Sequence, residues 1–475
     1  MLELEKTINI AVTKILHYLK DNRQQSTKVI DYKSPELLAE KLTLNLPKKG
    51  VPLNDLIPTI EAYLQHSVRT SSPKFFNQLW GGFEPTSLLA QMVTSAANTS
   101  MYTYEVAPVA TLMEKKLIEA LNQLVGFPEG EGLMVTGGSN ANLIAMLCAR
   151  HHCLPKAKTN GLTNHTLVAF CSDQSHYSLL KAANLLGIGM ENLVKVPSDN
   201  QGRMIPEQLE VAIQQSLAEG KKPFFVGATA GTTVQGAFDP LKLISQISRQ
   251  YGLWLHVDGA WGAPVLFSRK HRHLLEDSEL ADSFTWDAHK LMGIPLICSA
   301  ILVQRRGTLL AACSSGDTNY LFHNDEHSNY DLGTMSLQCG RTVDALKLWL
   351  AWQHHGSEGY EARVDHLFEL ANYAASRIQK CENLKLVTQP VFLNLCFRYH
   401  PTNLNLDGAT LDRLNLEIRN QLMLSGEALV NYAHYQDQII IRLILTNPEL
   451  QKSDLDKFFD CFIQCGEDLL KSNYL

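Results

Sequence analysis

From about residue 130 to residue 303, short β-branched or aromatic runs alternate with stretches of helical periodicity, and this alternation constrains the fold more than any other feature of the chain. The runs are LVAF (167–170), NLVKV (192–196), PFFVGA (223–228), LWLHVD (253–258), SFTW (283–286) and SAILV (299–303). Between them lie HYSLLKAANLLG, PEQLEVAIQQSLAEG and DPLKLISQISRQYG. The last two open at Pro or Asp-Pro, and all three close at a glycine, the residue that most easily turns left-handed past a helix end. A spacing of roughly 30 residues per strand–helix pair is that of βαβ units, so the pattern predicts an α/β fold with a mostly parallel sheet.

The pattern changes after about residue 335. Two helical stretches, VDALKLWLAWQHHG and EGYEARVDHLFELANYAASRIQK, precede the strand-like runs LKLVTQ, VFLNLCFRYH and QIIIRLILT and a final helix. That is an α+β unit, with HPTNLNLDGAT as its most turn-like loop. At the other end, MLELEKTINIAVTKILHYLKD spaces Ile8, Val12, Ile15, Leu16 and Leu19 on one helical face, which needs a partner in this chain or in a second copy. The expected organisation is an N-terminal helical segment over 1–90, a large α/β domain over 91–345 and a small α+β domain over 346–475.

Charge and composition exclude several classes of partner. A net charge of −6 without a clustered basic face predicts no nucleic acid. Charges interrupt the first helix, and no apolar stretch is long enough to span a bilayer, so no membrane partner is expected. The ten cysteines include no CxxC pair, which favours reduced thiols and a cytosolic location over a disulfide framework or a zinc site. KHRHLL and RHHC lack a matching second pair of ligands, so no metal is expected.

Ligands of open α/β sheets bind outside the carboxyl ends of the strands, so the residues just after each run carry the information. After Val135 comes TGGSNANLIAMLCAR, a glycine turn leading into a helix and suited to an anion. His176 follows the next run, Thr229 and Thr232 follow PFFVGA, Asp258 ends LWLHVD, and His289 and Lys290 follow SFTW. One lysine, one carboxylate, two histidines and a phosphate cradle at one sheet edge suit a cofactor with both an aldehyde and a phosphate. That cofactor is pyridoxal 5'-phosphate, which takes a Schiff-base lysine and a carboxylate at its ring nitrogen.

The segments FFNQL, NTSMYTYEVAPV, ATAGTTVQGAFDP, HVDGAWGAPVLFSRKHRHLL, WDAHKLMGIPLICSAILV and QCGRTVDALKLWL resemble the group II pyridoxal-phosphate-dependent amino-acid decarboxylases, in particular the glutamate, cysteine-sulfinate and aspartate branch. The resemblance runs from about residue 70 to the C-terminus. It implies the fold type I (aspartate-aminotransferase-like) architecture and a homodimer with shared active sites, the N-terminal segment packing on the partner subunit. It further implies α-decarboxylation of an acidic L-amino acid through a Lys290 aldimine and a quinonoid. By the same resemblance Asp258 faces the ring nitrogen, His176 stacks on the ring, and Ala260 lies against its other face. Gly138, Ser139 and His289 hold the phosphate, with Thr229 near the ring.

On the substrate side the resemblance assigns Arg442 to a substrate carboxylate and Gln78 and Asn98 to the side-chain pocket. Trp80 stands where glutamate enzymes have a small residue, so shorter acids are expected to be preferred if the indole enters the pocket; the other reading has it packing outward. In the loop YLFHNDEHSNYDLGTMSLQCGR, Tyr330 is the candidate acid, with His327 as the alternative. Two departures from the family pattern, Asp287-Ala288 for Asn-Pro and Gly259 for alanine, are expected not to touch the chemistry. Other readings are a different reaction on the same cofactor, amino transfer or elimination, and a non-catalytic decarboxylase-like regulator.

Overall fold

The computed structural model describes residues 1–163, 165–316, 320–323 and 326–472. The strands in chain order are β1 (Phe75–Phe76), β2 (Glu131–Val135), β3 (Leu167–Ser172), β4 (Leu193–Val196), β5 (Lys222–Thr229), β6 (Trp254–Asp258), β7 (Ser283–Asp287), β8 (Ser299–Val303), β9 (Leu384–Leu386), β10 (Asn394–Tyr399), β11 (Leu429–Tyr435) and β12 (Gln438–Ile444). The chain forms two compact units, one of Glu84–Phe368 and one of Met1–Phe83 with Glu369–Leu475.

The larger unit is built on a seven-stranded sheet of order β2-β8-β7-β6-β5-β3-β4. Strands β3 to β7 pair in parallel, while β8 runs antiparallel to both β7 and β2. All six apolar runs read from the sequence are strands of this sheet. Strands β3, β6, β7 and β8 are buried along their whole length. For that reason β3 and β8 read as near-continuous apolar runs, while His256 of β6 and Ser283 and Thr285 of β7 are buried polar residues with hydrogen-bond partners. Because the parallel strands share a direction, Ser172, Thr229, Asp258 and Asp287 end on one edge. The antiparallel β8 starts there, with Ser299 opposite both Val135 and Asp287.

The helix Gly138–Cys153 opens at that edge after Gly137, whose φ of 108° suits glycine alone. It buries Ala141, Ile144, Ala145, Met146 and Cys148 and so reads as apolar on most faces. The helix Pro206–Ala218 has proline in its first turn, where the missing N–H costs nothing. The long helical stretch Asp344–Gln379 is broken at Gly356 (φ 65°, ψ 174°), so it is two helices in succession, as the sequence pattern implied. Among the described residues no helix is long and apolar enough to cross a membrane.

In the smaller unit the sheet order is β1-β11-β12-β10-β9, antiparallel except for the β1–β11 pair. The helix Lys452–Lys471 buries Leu455, Phe458, Phe459 and Phe462. Three of these rings meet Phe397 of β10 at centroid distances of 5.2–6.5 Å. A reciprocal capping box between Gln451 and Asp454 starts this helix. The first helix, Leu2–Asn22, leaves Leu2, Leu4, Ile8 and Leu16 exposed.

Candidate active site

The chemistry at the sheet edge starts from β7, whose last residue, Asp287, is succeeded by a tight turn holding His289 and Lys290. The Lys290 Nζ lies 3.1 Å from Asp287 Oδ2, and His289 Nε2 lies 3.7 Å from the same oxygen. Asp287, which stands where the family pattern has asparagine, is thus in direct contact with the lysine. The reason is geometric: both residues belong to one turn, and the side chain three positions before the lysine folds back onto its ammonium group. Gly259, the other departure, has a packing cause. A Cβ there would stand 2.3 Å from the Phe284 ring and 3.0 Å from the Thr285 carbonyl oxygen.

His289 is buried, its Nδ1 3.0 Å from the Cys298 carbonyl oxygen and 3.2 Å from Ser299 Oγ. Burial is the main cause that pushes its pKa below the ordinary histidine value, against the pull of Asp287. Gly138 lies directly opposite: a Cβ on it would stand 2.7 Å from Asp287 Oδ2, so only glycine lets the helix start approach this turn. Ser139 sits in the first turn of the same helix, exposed.

Asp258 ends β6 and is buried (6% exposed). Its Oδ1 accepts the Ala260 backbone N–H at 3.2 Å, and its Oδ2 accepts from Asn142 Nδ2 at 2.8 Å. Asn142 carries no motif signal in the sequence, yet it is the hub of a buried polar network. Its Nδ2 also donates to Ser178 Oγ at 2.9 Å, and its Oδ1 accepts from Thr285 Oγ1 at 2.8 Å and lies 2.9 Å from His256 Nε2. The amide oxygen can only accept, so His256 carries its proton on Nε2 and Nδ1 accepts from Ser283 Oγ at 2.8 Å. Ser283 Oγ in turn accepts from Trp254 Nε1.

Full burial pushes the His256 pKa down to about 4, so the ring is neutral when the network is intact. A histidine with a depressed folded-state pKa contributes stability that is present above its ordinary value of 6.5 and lost as pH falls through about 4. Thermal unfolding followed from pH 7 to pH 4 is therefore expected to show a steeper loss of stability in the wild type than in His256→Gln. The difference approaches about 1.4 kcal/mol per pH unit in that window. Equal slopes would remove His256 from the account.

His176 joins the network through Ser178, whose Oγ lies 2.9 Å from His176 Nδ1. Burial is the largest influence lowering the His176 pKa, partly opposed by the Asp258 carboxylate and reinforced by Lys290. Thr229 pairs in register with Asp258, and its Oγ1 is buried without a hydrogen-bond partner among the described residues. Its backbone N–H donates to Asp239 Oδ2 at 2.7 Å. Thr232 has a local structural role, its Oγ1 accepting the Ala237 N–H to close a turn.

The remaining candidates lie elsewhere. Tyr330 is 5.3 Å from the Tyr104 ring and has Lys115 Nζ 4.7 Å above its own ring, while His327 is 5.5 Å from Tyr104. The loop is held beside Tyr104, whose N–H donates to Asp331 Oδ1, and at its far end by the buried Arg341, which donates to Glu114 at 2.9 and 3.1 Å. Asn98 is exposed and closes the helix Pro85–Ala97 in a left-handed conformation. In the smaller unit, the buried Arg442 of β12 donates to the Asn77 carbonyl oxygen at 3.2 Å, and Gln78 Nε2 donates to Asn77 Oδ1. Trp80 packs on Phe75, 5.7 Å between ring centroids, at the edge of a cluster with Val29 and Leu429.

These groups fit pyridoxal phosphate on the structure's own terms. Gly137, with nothing within 4 Å of where a Cβ would stand, leaves the helix start open to an anion, the braced carboxylate of Asp258 suits a protonated ring nitrogen, and the Lys290 amine stands at the same edge. Fold and site together define a pyridoxal-phosphate enzyme of fold type I. The chain belongs to the pyridoxal-dependent decarboxylases, whose conserved-domain model matches residues 35–400. It is 39% identical to cysteine sulfinic acid decarboxylase of Rattus norvegicus over 461 residues, covering 95% of this chain and 94% of that protein. It is 40% identical to acidic amino acid decarboxylase GADL1 of Bos taurus, covering 93% and 87% respectively. The crystal structure of mouse CSAD superposes with a TM-score of 0.95 at 37% identity, over 98% of this chain and all (100%) of that one.

Proposed function

We propose that this chain removes the α-carboxylate of a small acidic L-amino acid, with Lys290 as the attachment point for the cofactor. The observation that carries the reading is the gathering of Lys290, Asp258, His176 and the Gly138 helix start at one sheet edge. When bound, the cofactor supplies an aldehyde for the amine and an electron sink for the bond that breaks. Asp258, braced by Asn142, holds the proton on the ring nitrogen. His176 and Ala260 would hold the ring, Thr229 would stand near it, and Gly138, Ser139 and His289 would receive the phosphate. Lys290 would hold the cofactor through its amine.

An acidic substrate is supported by the names of the relatives and by the buried guanidinium of Arg442 beside Asn77 and Gln78, a fork suited to a carboxylate. Gln78 and Asn98 contact the substrate side chain, and Trp80 shortens the space available to it. With wild-type enzyme, carbon dioxide release from a panel of amino acids is expected to be fastest with aspartate or cysteine sulfinate, slower with glutamate and absent with aromatic acids. No release from any of the three acids would defeat the proposal. Glutamate as the fastest substrate would defeat the length argument alone.

The same reading makes Tyr330 the acid that delivers a proton to the substrate α-carbon. Tyr330→Phe is expected to bind cofactor and substrate normally and to lower amine formation by about a hundredfold or more. Amine formation at the wild-type rate would pass the role to another group, His327 first. We further propose a cytosolic homodimer, with the segment 1–90 packing on the partner, the domain at 91–345 holding the cofactor and a small α+β domain at 346–475. Exposed Leu89, Met92, Val93, Val109 and Leu112 on successive helices support a covered face.

A further inference from the structure

The Asp287 side chain is only 2% exposed, yet it stands between the two flanks of the proposed phosphate site. Its Oδ2 contacts Lys290 Nζ and faces His289, while on the other side a Cβ on Gly138 would stand 2.7 Å from Oδ2 and 3.0 Å from Oδ1. Oδ1 has no hydrogen-bond partner among the described residues. Before cofactor uptake the Lys290 ammonium balances this carboxylate. A phosphate monoester adds about two negative charges at neutral pH, and the lysine's single positive charge must then serve both anions or be lost. Neither neighbouring base makes up the difference. Burial holds His289 towards its neutral form, and Lys347 is already paired with Asp344 at 2.8 Å.

We propose that Asp287 sets the affinity for pyridoxal phosphate by opposing the phosphate group, so that this chain holds its cofactor more loosely than it would with an uncharged residue at 287. The inference rests on the proposed placement of the phosphate at Gly138 and His289. Two like charges a few ångströms apart in a poorly solvated site repel strongly enough to cost at least about tenfold in affinity. A carboxylate amide of the same shape removes the charge and leaves the turn intact.

The test uses the full-length chain freed of cofactor with hydroxylamine and titrated with two probes, pyridoxal phosphate and phosphate-free pyridoxal, in wild type and Asp287→Asn. Pyridoxal phosphate is expected to bind the variant about tenfold or more tightly and to survive dialysis longer, while pyridoxal binds both proteins within about threefold. Unchanged or weaker pyridoxal phosphate binding by the variant overturns the proposal. Equal tightening with both probes also overturns it, since the effect would then act through the Lys290 amine. Asp287→Ser provides the same comparison should the asparagine variant fail to fold. Borohydride trapping separates this inference from its foundation: an adduct on Lys290 with unaltered affinity rejects only the role of Asp287, whereas an adduct on another lysine rejects the site and the inference together.

Discussion

Replacing Lys290 by alanine is expected to abolish covalent attachment of the cofactor and to lower decarboxylation by on the order of a thousandfold or more. The wild-type protein should be yellow and become permanently labelled at Lys290 on borohydride reduction, and the variant should take up no borohydride-stable label. Lys290 stands in the turn directly after β7, 21% exposed, with its Nζ at the edge where Asp258 ends. A colourless wild type that takes up no pyridoxal phosphate, or a variant of unaltered activity, would end the assignment. Arginine at 290 keeps the charge next to Asp287 and cannot form the bond, so Lys290→Arg separates loss of attachment from loss of the ion pair.

Asp258→Asn is expected to retain cofactor and lose about a hundred- to a thousandfold in kcat, because a neutral amide no longer favours the protonated ring nitrogen. Binding should suffer far less, since the proposed backbone and His289 contacts to the phosphate would be unaltered. Asn142→Leu makes a graded comparison. It leaves the Asp258 charge in place but removes the amide that donates to Oδ2 at 2.8 Å, so a smaller fall in kcat is expected. A loss confined to cofactor affinity in Asp258→Asn, with kcat preserved, would contradict an electrostatic role for this carboxylate.

The residues that can be read from the chain and those that cannot differ in a physical way. Asp258, His176 and Lys290 are legible because each ends or closely follows an apolar run, and parallel strands deliver such positions to one edge. Asn142 lies inside a helix that reads as core, and His256 sits in mid-strand with 0% exposure. Their importance comes from contacts across more than 100 positions of chain, 116 between Asn142 and Asp258 and 114 between Asn142 and His256. A polar residue in the middle of LWLHVD is the available signal, since a fully buried histidine must find partners. Strand β11 is hidden in the sequence because Asn431, Tyr432 and His434 interrupt its apolar pattern, and β1 is only two residues long.

By itself, then, the sequence determined the class of fold, the family and the strand-end residues, since hydrophobic periodicity sets strands and helices and their order sets the parallel sheet. Tertiary structure alone decided what braces those residues and what opposes them. The Asn142 network and the contact of Asp287 with Lys290 and Gly138 depend on side-chain directions and on how closely backbones approach. Those distances arise only when β6, β7 and the helix Gly138–Cys153 are packed together, and no local pattern of residues encodes them.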